Sequence, residues 1–265
     1  MKSINSLVAL FLLAACSNPV KHATAEEERT VNVVETETNM TVTIDEVTFK
    51  MIHVESGVFQ MGSNDGYDRE KPIHQVTLDS FSIGETEVTQ DLRNAVMGSN
   101  PSEFKGCKHP VENISWNDCQ TFIAKLNELT GKTFRLPTEA EWEFAARGGN
   151  KSKGYTYSGS NTINEVAWYF SNCSNMTRVV ATKAPNELGL YDMSGNVYEW
   201  CQAWESSNYY SISPENSPIG PSSGSFRVIR GGSWYGDDAT VCRVAYRCSG
   251  LPADTDSTIG FRLAL

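Results

Sequence analysis

Only two stretches carry the marks of a well-formed helix, and after the second the chain runs on glycine, asparagine, serine and tryptophan to its end. In the first, over residues 115–129, Ser115 stands where an N-cap belongs and Asp118 follows three residues on. Trp116, Cys119, Phe122, Ile123 and Leu126 share one face, and Gly131 is a fitting stop. The second opens with Leu136-Pro137-Thr138-Glu139-Ala140-Glu141, a capping box with Thr138 at N-cap and Glu141 at N3. Trp142 and Ala145-Ala146 follow, and Gly148-Gly149 closes it. Strand candidates are short: 47–54 and 58–61 around a turn at Ser56-Gly57, then 227–229, 240–246 and 259–263. Short strands, two main helices and long aromatic-bearing loops define an irregular α+β domain. The 20 glycines, 10 prolines and 6 tryptophans speak against a helical bundle. No fixed-period repeat points to a solenoid or propeller.

The N-terminus is read as an address. Lys2 supplies a positive start and residues 4–15 are apolar, but a helix of that length spans about 18 Å against a bilayer core of roughly 30 Å. Residues 1–15 therefore read as a signal peptide, excluded from the fold. It ends in Leu13-Ala14-Ala15-Cys16, which resembles a bacterial lipobox and implies cleavage before Cys16 and lipidation, palmitate included, on that residue. A plain secretory signal is the alternative. Ser17 rather than Asp after the cysteine points to the outer membrane of the bacterial cell envelope. Residues 16–44 mix Glu26, Glu27, Glu28, Glu35 and Glu37 with Thr, Asn and Val, hold no aromatic residue, and read as a lipid-anchored acidic tether. Val31, Val33 and Val34 equally suit an edge strand. One domain, 45–265, follows. The formal net charge of -10 argues against a nucleic-acid partner, whose phosphates need an excess of Lys and Arg.

From Phe59-Gln60-Met61-Gly62-Ser63 onward the motifs arrive in a fixed order. Glu70-Lys71-Pro72-Ile73-His74, Glu85-Thr86-Glu87-Val88-Thr89 and Pro110-Val111-Glu112-Asn113-Ile114-Ser115-Trp116 precede Arg135-Leu136-Pro137-Thr138-Glu139-Ala140-Glu141-Trp142-Glu143. Gly189-Leu190-Tyr191-Asp192-Met193-Ser194-Gly195-Asn196-Val197-Tyr198-Glu199-Trp200, Arg230-Gly231-Gly232-Ser233-Trp234 and Ile259-Gly260-Phe261-Arg262 complete the series. This series resembles the formylglycine-generating enzyme (sulfatase-modifying factor) family over essentially the whole segment after the tether. The resemblance implies a C-type-lectin-like fold with little regular structure.

It also implies chemistry that this chain lacks in part. Oxidases of the family hold Cu(I) with two thiolates near the C-terminus, a soft-ligand requirement. One cysteine sits two residues after the aromatic of the Gly-Gly-Ser-aromatic motif and the other five residues later. Counted from Trp234 those places are Gly236 and Val241; counted back from Tyr246-Arg247, the second is Arg243. The first ligand is absent, which argues against Cu(I). Cys242 and Cys248 are the candidates for a replacement catalytic pair, on even spacing, but a structural role is favoured for both. After Cys16, the remaining cysteines are Cys107, Cys119, Cys173, Cys201, Cys242 and Cys248. Their disulfide connectivity stays open. The family fold brings the motifs of Cys201 and Cys242 together, so the resemblance suggests that pair. Cys119, on an apolar helix face, reads as a buried free thiol.

By position in the family, Asp192 and Glu199 would give carboxylate oxygens and Gly195 and Val197 backbone carbonyls to a structural Ca²⁺, against the alternative that the carboxylates merely brace the loop. His22, His53, His74 and His109 form no zinc-spaced cluster, and Gly231-Gly232 lacks the helix and lysine of a phosphate loop. Arg247 and Arg262 read as buried scaffold paired with carboxylates such as Glu139 or Glu143. Trp234, Trp204, Tyr209 and Tyr210 suit either a ligand groove or the core. The sequence thus favours a non-catalytic lipoprotein module, held to the membrane by lipid on Cys16 and presenting loops to an unknown envelope protein, peptide or glycan. The alternative is an oxidase converting a sulfatase cysteine or serine to formylglycine. The candidate binding surface is residues 203–225 with 235–238, including Tyr209, Tyr210, Tyr235, Asp237 and Asp238.

Overall fold

The computed structural model describes residues 29–236 and 238–265. The signal peptide 1–15, Cys16, His22, the tether up to residue 28 and Asp237 lie outside the described residues. Strands β1 (Val31–Glu35), β2 (Asn39–Ile44) and β3 (Val47–Val54) form an antiparallel meander. Next, β4 (Gly57–Met61) and β5 (His74–Leu78) make a two-stranded ribbon, and β6 (Phe81–Gly84) returns to β3. The first sheet has the order β1-β2-β3-β6.

The boundary expected at residue 45 is therefore too late, because residues 31–44 belong to the domain. In β2, Met40, Val42 and Ile44 turn inward, with Val42 and Ile44 fully buried, while Thr41 and Thr43 stay half-exposed. Composition averaged over both faces of a strand hides this period of two. Burying side chains of this size contributes about 1.5–3 kcal/mol each, more than a solvated tether can gain. Asp45, at φ 54, turns β2 into β3, and its Oδ1 accepts from the Thr30 amide at 3.1 Å.

Helices α1 (Gln90–Met97), α2 (Trp116–Thr130), α3 (Glu139–Ala146) and the single turn α4 (Ile163–Val166) follow. Both expected capping boxes form. Ser115 Oγ accepts from the Asp118 amide at 3.1 Å, and Thr138 Oγ1 from the Glu141 amide at 3.1 Å, with the reciprocal bonds also made. Cys119, Phe122, Ile123 and Leu126 are buried as their spacing predicts. No capping box opens α1, whose N-cap Thr89 makes no side-chain cap bond; Gly98, at φ 71, closes it, and Leu92 and Val96, one turn apart, hold it to the core.

The second sheet, β10-β7-β8-β9, is built from β7 (Tyr198–Trp204), β8 (Arg227–Arg230), β9 (Cys248–Gly250) and β10 (Ile259–Gly260). The strand expected at 240–246 is a correction. A 3-10 turn, Ala239–Cys242, starts there because Asp238 caps it, its Oδ1 accepting from the Thr240 amide at 2.8 Å. Its place beside β8 is taken by β9. One core lies between the first sheet and α1 and α2, with Phe122 edge-on to Phe261 at 5.3 Å. A second surrounds Trp142 and Phe144 of α3. The chain end closes the fold, because Leu265 and Ser82 exchange backbone hydrogen bonds and so do Ala264 and Arg135. The architecture is the irregular α+β, lectin-like one.

Candidate functional site

Glu139 and Glu143 lie one turn apart on α3, so both face β8. Arg230 joins them: Nη1 meets Glu139 at 2.6 Å and Nη2 meets Glu143 at 2.7 Å, with the Val244 carbonyl also accepting from Nη2. Arg247 forks onto the other side of Glu139 and donates to the Arg69 carbonyl at 2.7 Å. Arg147 and the Gly62 amide complete Glu143. Burial pushes the Glu143 pKa up, but Arg147 and Arg230 outweigh it and hold it at about 2. Glu139 is likewise pushed up by burial, and Arg247 and Arg230 leave it below its ordinary value. Nearby, Arg243 forks onto buried Glu70 at 2.7 and 2.9 Å. Three arginines of the C-terminal segment are thus bolted to carboxylates, and the irregular chain from 231 to 247 is carried on a rigid base.

Arg262 makes the matching pair elsewhere, with Glu199 at 2.6 Å through both Nε and Nη2, and Trp142 Nε1 donates to the same carboxylate at 2.7 Å. The sequence left open which carboxylate Arg262 meets; the partner is on β7 rather than α3, because the chain end runs alongside β7 through the parallel β10.

The calcium-like constellation closes around that pair. Asp192, at φ 57, is buried; its Oδ2 accepts from the Ala181 amide at 2.7 Å and its Oδ1 has no partner. Gly195 sits at φ 84 where a Cβ would lie 2.3 Å from the Trp168 carbonyl oxygen, so only glycine fits. Glu87, missed by the sequence reading, is buried beside them, with Oε2 accepting from Asn196 at 3.2 Å and Oε1 unpaired. Burial raises the Asp192 pKa to about 6, and burial with the charges of Asp192 and Glu199 raises that of Glu87. Among the described residues no three His, Cys, Asp or Glu side chains converge as a metal cluster. An oxygen-seeking ion here would rely on Asp192 and the Gly195 and Val197 carbonyls, with Glu199 already gripped by Arg262.

The sulfur chemistry reads differently. Cys119, Cys173, Cys201, Cys242 and Cys248 are free thiols, so the expected Cys201–Cys242 disulfide is absent. Cys201 sits on β7 in the α3 core, its carbonyl accepting from Trp116 Nε1 at 3.1 Å. Cys242 ends the 3-10 turn and packs against Gly232, where a Cβ would lie 2.7 Å from its sulfur. Burial pushes its thiol up to about 12. Cys248, on β9, is half-buried beside Tyr246. Gly236 has φ 119 and open space where a side chain would stand.

The expected binding surface is divided. In the β7–β8 pair Glu199 stands opposite Arg230 and Trp204 opposite Arg227, so the 205–226 loop leaves from one end and Tyr235 and Asp238 from the other. Tyr210 belongs to neither, which corrects its assignment. It is buried against His74 at 4.5 Å and the Arg247 guanidinium at 4.1 Å, and its hydroxyl donates to Glu139. Tyr209 is half-buried, its hydroxyl accepting from the Gly220 amide at 3.1 Å. Tyr235 is 61% exposed.

Known proteins share this fold and its family of sequences. Residues 37–265 match the sulfatase-modifying factor enzyme 1-like domain, and the chain belongs to that family. It is 37% identical over 234 residues to chaperone protein LppX of Paenibacillus barcinonensis, covering 69% of this chain and 78% of that one. It is 39% identical over 283 residues to the formylglycine-generating enzyme of Streptomyces coelicolor, covering 80% and 88%. Among solved structures, Treponema denticola variable protein 1 superposes with a TM-score of 0.80 at 38% identity, covering 86% of this chain and 99% of that one. The chain spans only 38% of the length of the Chlamydia pneumoniae relative named serine/threonine-protein kinase pkn1.

Proposed function

We propose that this chain is an outer-membrane lipoprotein whose domain binds a partner and oxidises nothing. Lipid on Cys16 holds it to the membrane, the short acidic segment before β1 spaces it, and the domain presents Tyr235 and Asp238 to an envelope protein, peptide or glycan. One observation carries the reading: the two thiolates that Cu(I) needs have no counterpart. Gly236 occupies the first place, and the nearest candidate, Cys242, is fully buried with its thiol pushed up to about 12, against the thiolate a metal requires. Relatives at similar identity carry the names of a chaperone protein, a variable protein and an enzyme, so similarity alone does not choose among them.

A structural Ca²⁺ held by Asp192 and the Gly195 and Val197 carbonyls, with Glu199 close by but bound to Arg262, belongs to the same reading. Its support is the unpaired, buried Asp192 Oδ1 beside two further buried carboxylates and a single arginine. The test of function is to incubate the full chain with Cu(I), oxygen, a thiol reductant to supply the two further electrons that reduction of oxygen to water requires, and a peptide bearing a sulfatase's modification-site cysteine, and to follow the peptide by mass. The expected result is unchanged peptide; formation of the aldehyde refutes the proposal.

A further inference from the structure

At the Trp204 end of the β7–β8 pair, a cavity of about 540 Å³ opens between the 205–226 loop, the β5–β6 turn and the start of α3. That size falls within the roughly 300–1,000 Å³ of sites for small organic ligands. Leu136, Ile219 and Pro221 give it apolar walls, and Thr138 and Ser217 add hydroxyls.

Arg227 lines this cavity in an unusual state. Its guanidinium is held between two indoles, 3.4 Å from the Trp204 ring centre and 3.8 Å from that of Trp116. Nη1 donates to the Gln202 carbonyl at 2.6 Å. Nε is buried without a partner, and Nη2 finds no acceptor among the described residues. Those two nitrogens form the edge with which arginine grips a carboxylate through parallel N–H bonds. With a ring on each face, the plane of the guanidinium is the direction left to a ligand.

Buried Arg93 shares this state, with Nε unpaired, no ion pair among the described residues and a pKa lowered by burial, but four other arginines differ. Arg230, Arg243, Arg247 and Arg262 each meet a buried carboxylate, and Arg135, on the wall of this cavity, is neutralised by Glu141 at 2.6 Å. Arg227, half-buried, makes no ion pair among the described residues, in a chain with 32 acidic and 22 basic residues. Burial accordingly lowers its pKa. An unpaired, desolvated N–H is costly, and a bound acceptor relieves that cost. Asp79 also lines the cavity, so a single negative charge is favoured over a doubly charged phosphate.

We propose that this cavity binds a carboxylate carried on a compact, partly apolar body, anchored by the Nε–Nη2 edge of Arg227. A short peptide ending in a free carboxylate and a uronic acid sugar both present that chemistry. The site does not depend on the Tyr235 surface or on the absence of copper, so it stands or falls separately from the proposed function.

The test is calorimetric titration of the full chain with N-acetyl-alanyl-leucine, its C-terminal amide, glucuronate and inorganic phosphate. At least one carboxylate is expected to bind saturably, and a peptide acid to exceed its amide by about tenfold or more. Binding of the peptide alone assigns a peptide terminus, and binding of glucuronate alone assigns an acidic sugar. Arg227→Lys should weaken the bound carboxylate by about tenfold, because an ammonium cannot form the two-point contact. Ile219→Asp, on a rim residue 71% exposed and so harmless to packing, should weaken it by about threefold through repulsion. The proposal is overturned if no carboxylate binds at millimolar concentration, if peptide acid and amide bind alike, if phosphate binds more tightly than any carboxylate, or if the Ile219→Asp protein keeps full affinity.

Discussion

Glu143 and Arg230 meet at 2.7 Å with both side chains wholly out of solvent, joining the third helix to the strand from which the C-terminal loops depart. Neither is left to stand alone: Glu143 has Arg147 and the Gly62 amide, and Arg230 has Glu139 and the Val244 carbonyl. Such a pair is weak evidence of net stabilisation, since desolvating both ions offsets much of their attraction. Removing one partner is another matter.

Glu143→Ala should cost about 3–5 kcal/mol, because it strands a buried guanidinium nitrogen and the Gly62 amide together. The sign of the pH effect follows from the depressed carboxyl. The folded pKa of about 2 lies below the ordinary 4.5, so the contribution is complete above the ordinary value and is lost as pH falls toward 2. Urea unfolding between pH 7 and 2 checks both points. Glu139, also depressed, should leave part of the acid loss in place in a Glu143→Gln protein.

Cys201 and Cys242 should both be captured by an alkylating reagent when the protein is unfolded without reductant. In the folded state both should resist, since both are fully buried. Peptide mapping by mass spectrometry reads each site, and a linked Cys201–Cys242 peptide would contradict the structure.

Calcium should raise the unfolding midpoint, and Asp192→Asn should abolish most of the rise. A ligand at a hundred times its Kd stabilises by about 2.7 kcal/mol, enough to see in a thermal scan against a chelator control. Identical scans with calcium and with chelator would leave the unpaired Asp192 oxygen to another explanation.

What could be read from the chain divides by distance along it. The boxes at Ser115–Asp118 and Thr138–Glu141 are written within a few residues, and both form as expected. The partners of buried arginines are not local. Arg247 and Glu139 lie 108 positions apart and Arg262 and Glu199 lie 63 apart, so sequence could mark the arginines as scaffold without naming every partner. Strand β2 was hidden by its own alternation, its outward threonines diluting an inward row of Met40, Val42 and Ile44. Tyr210 shows the reverse error: a polar loop surrounds it, yet its ring and hydroxyl belong to the arginine–glutamate core. The division of the binding surface depends on β7 and β8 being paired antiparallel, a fact no single segment carries.

The most direct measurement of the central claim is a Cu(I) titration of the full chain under reducing conditions, competed against a chromophoric chelator, with Cys242→Ser alongside. A binding module without the oxidase thiolates predicts no tight one-to-one site and no difference between the two proteins. Tight stoichiometric Cu(I) binding that Cys242→Ser abolishes would contradict it, and would return the chain to the oxidases of its family.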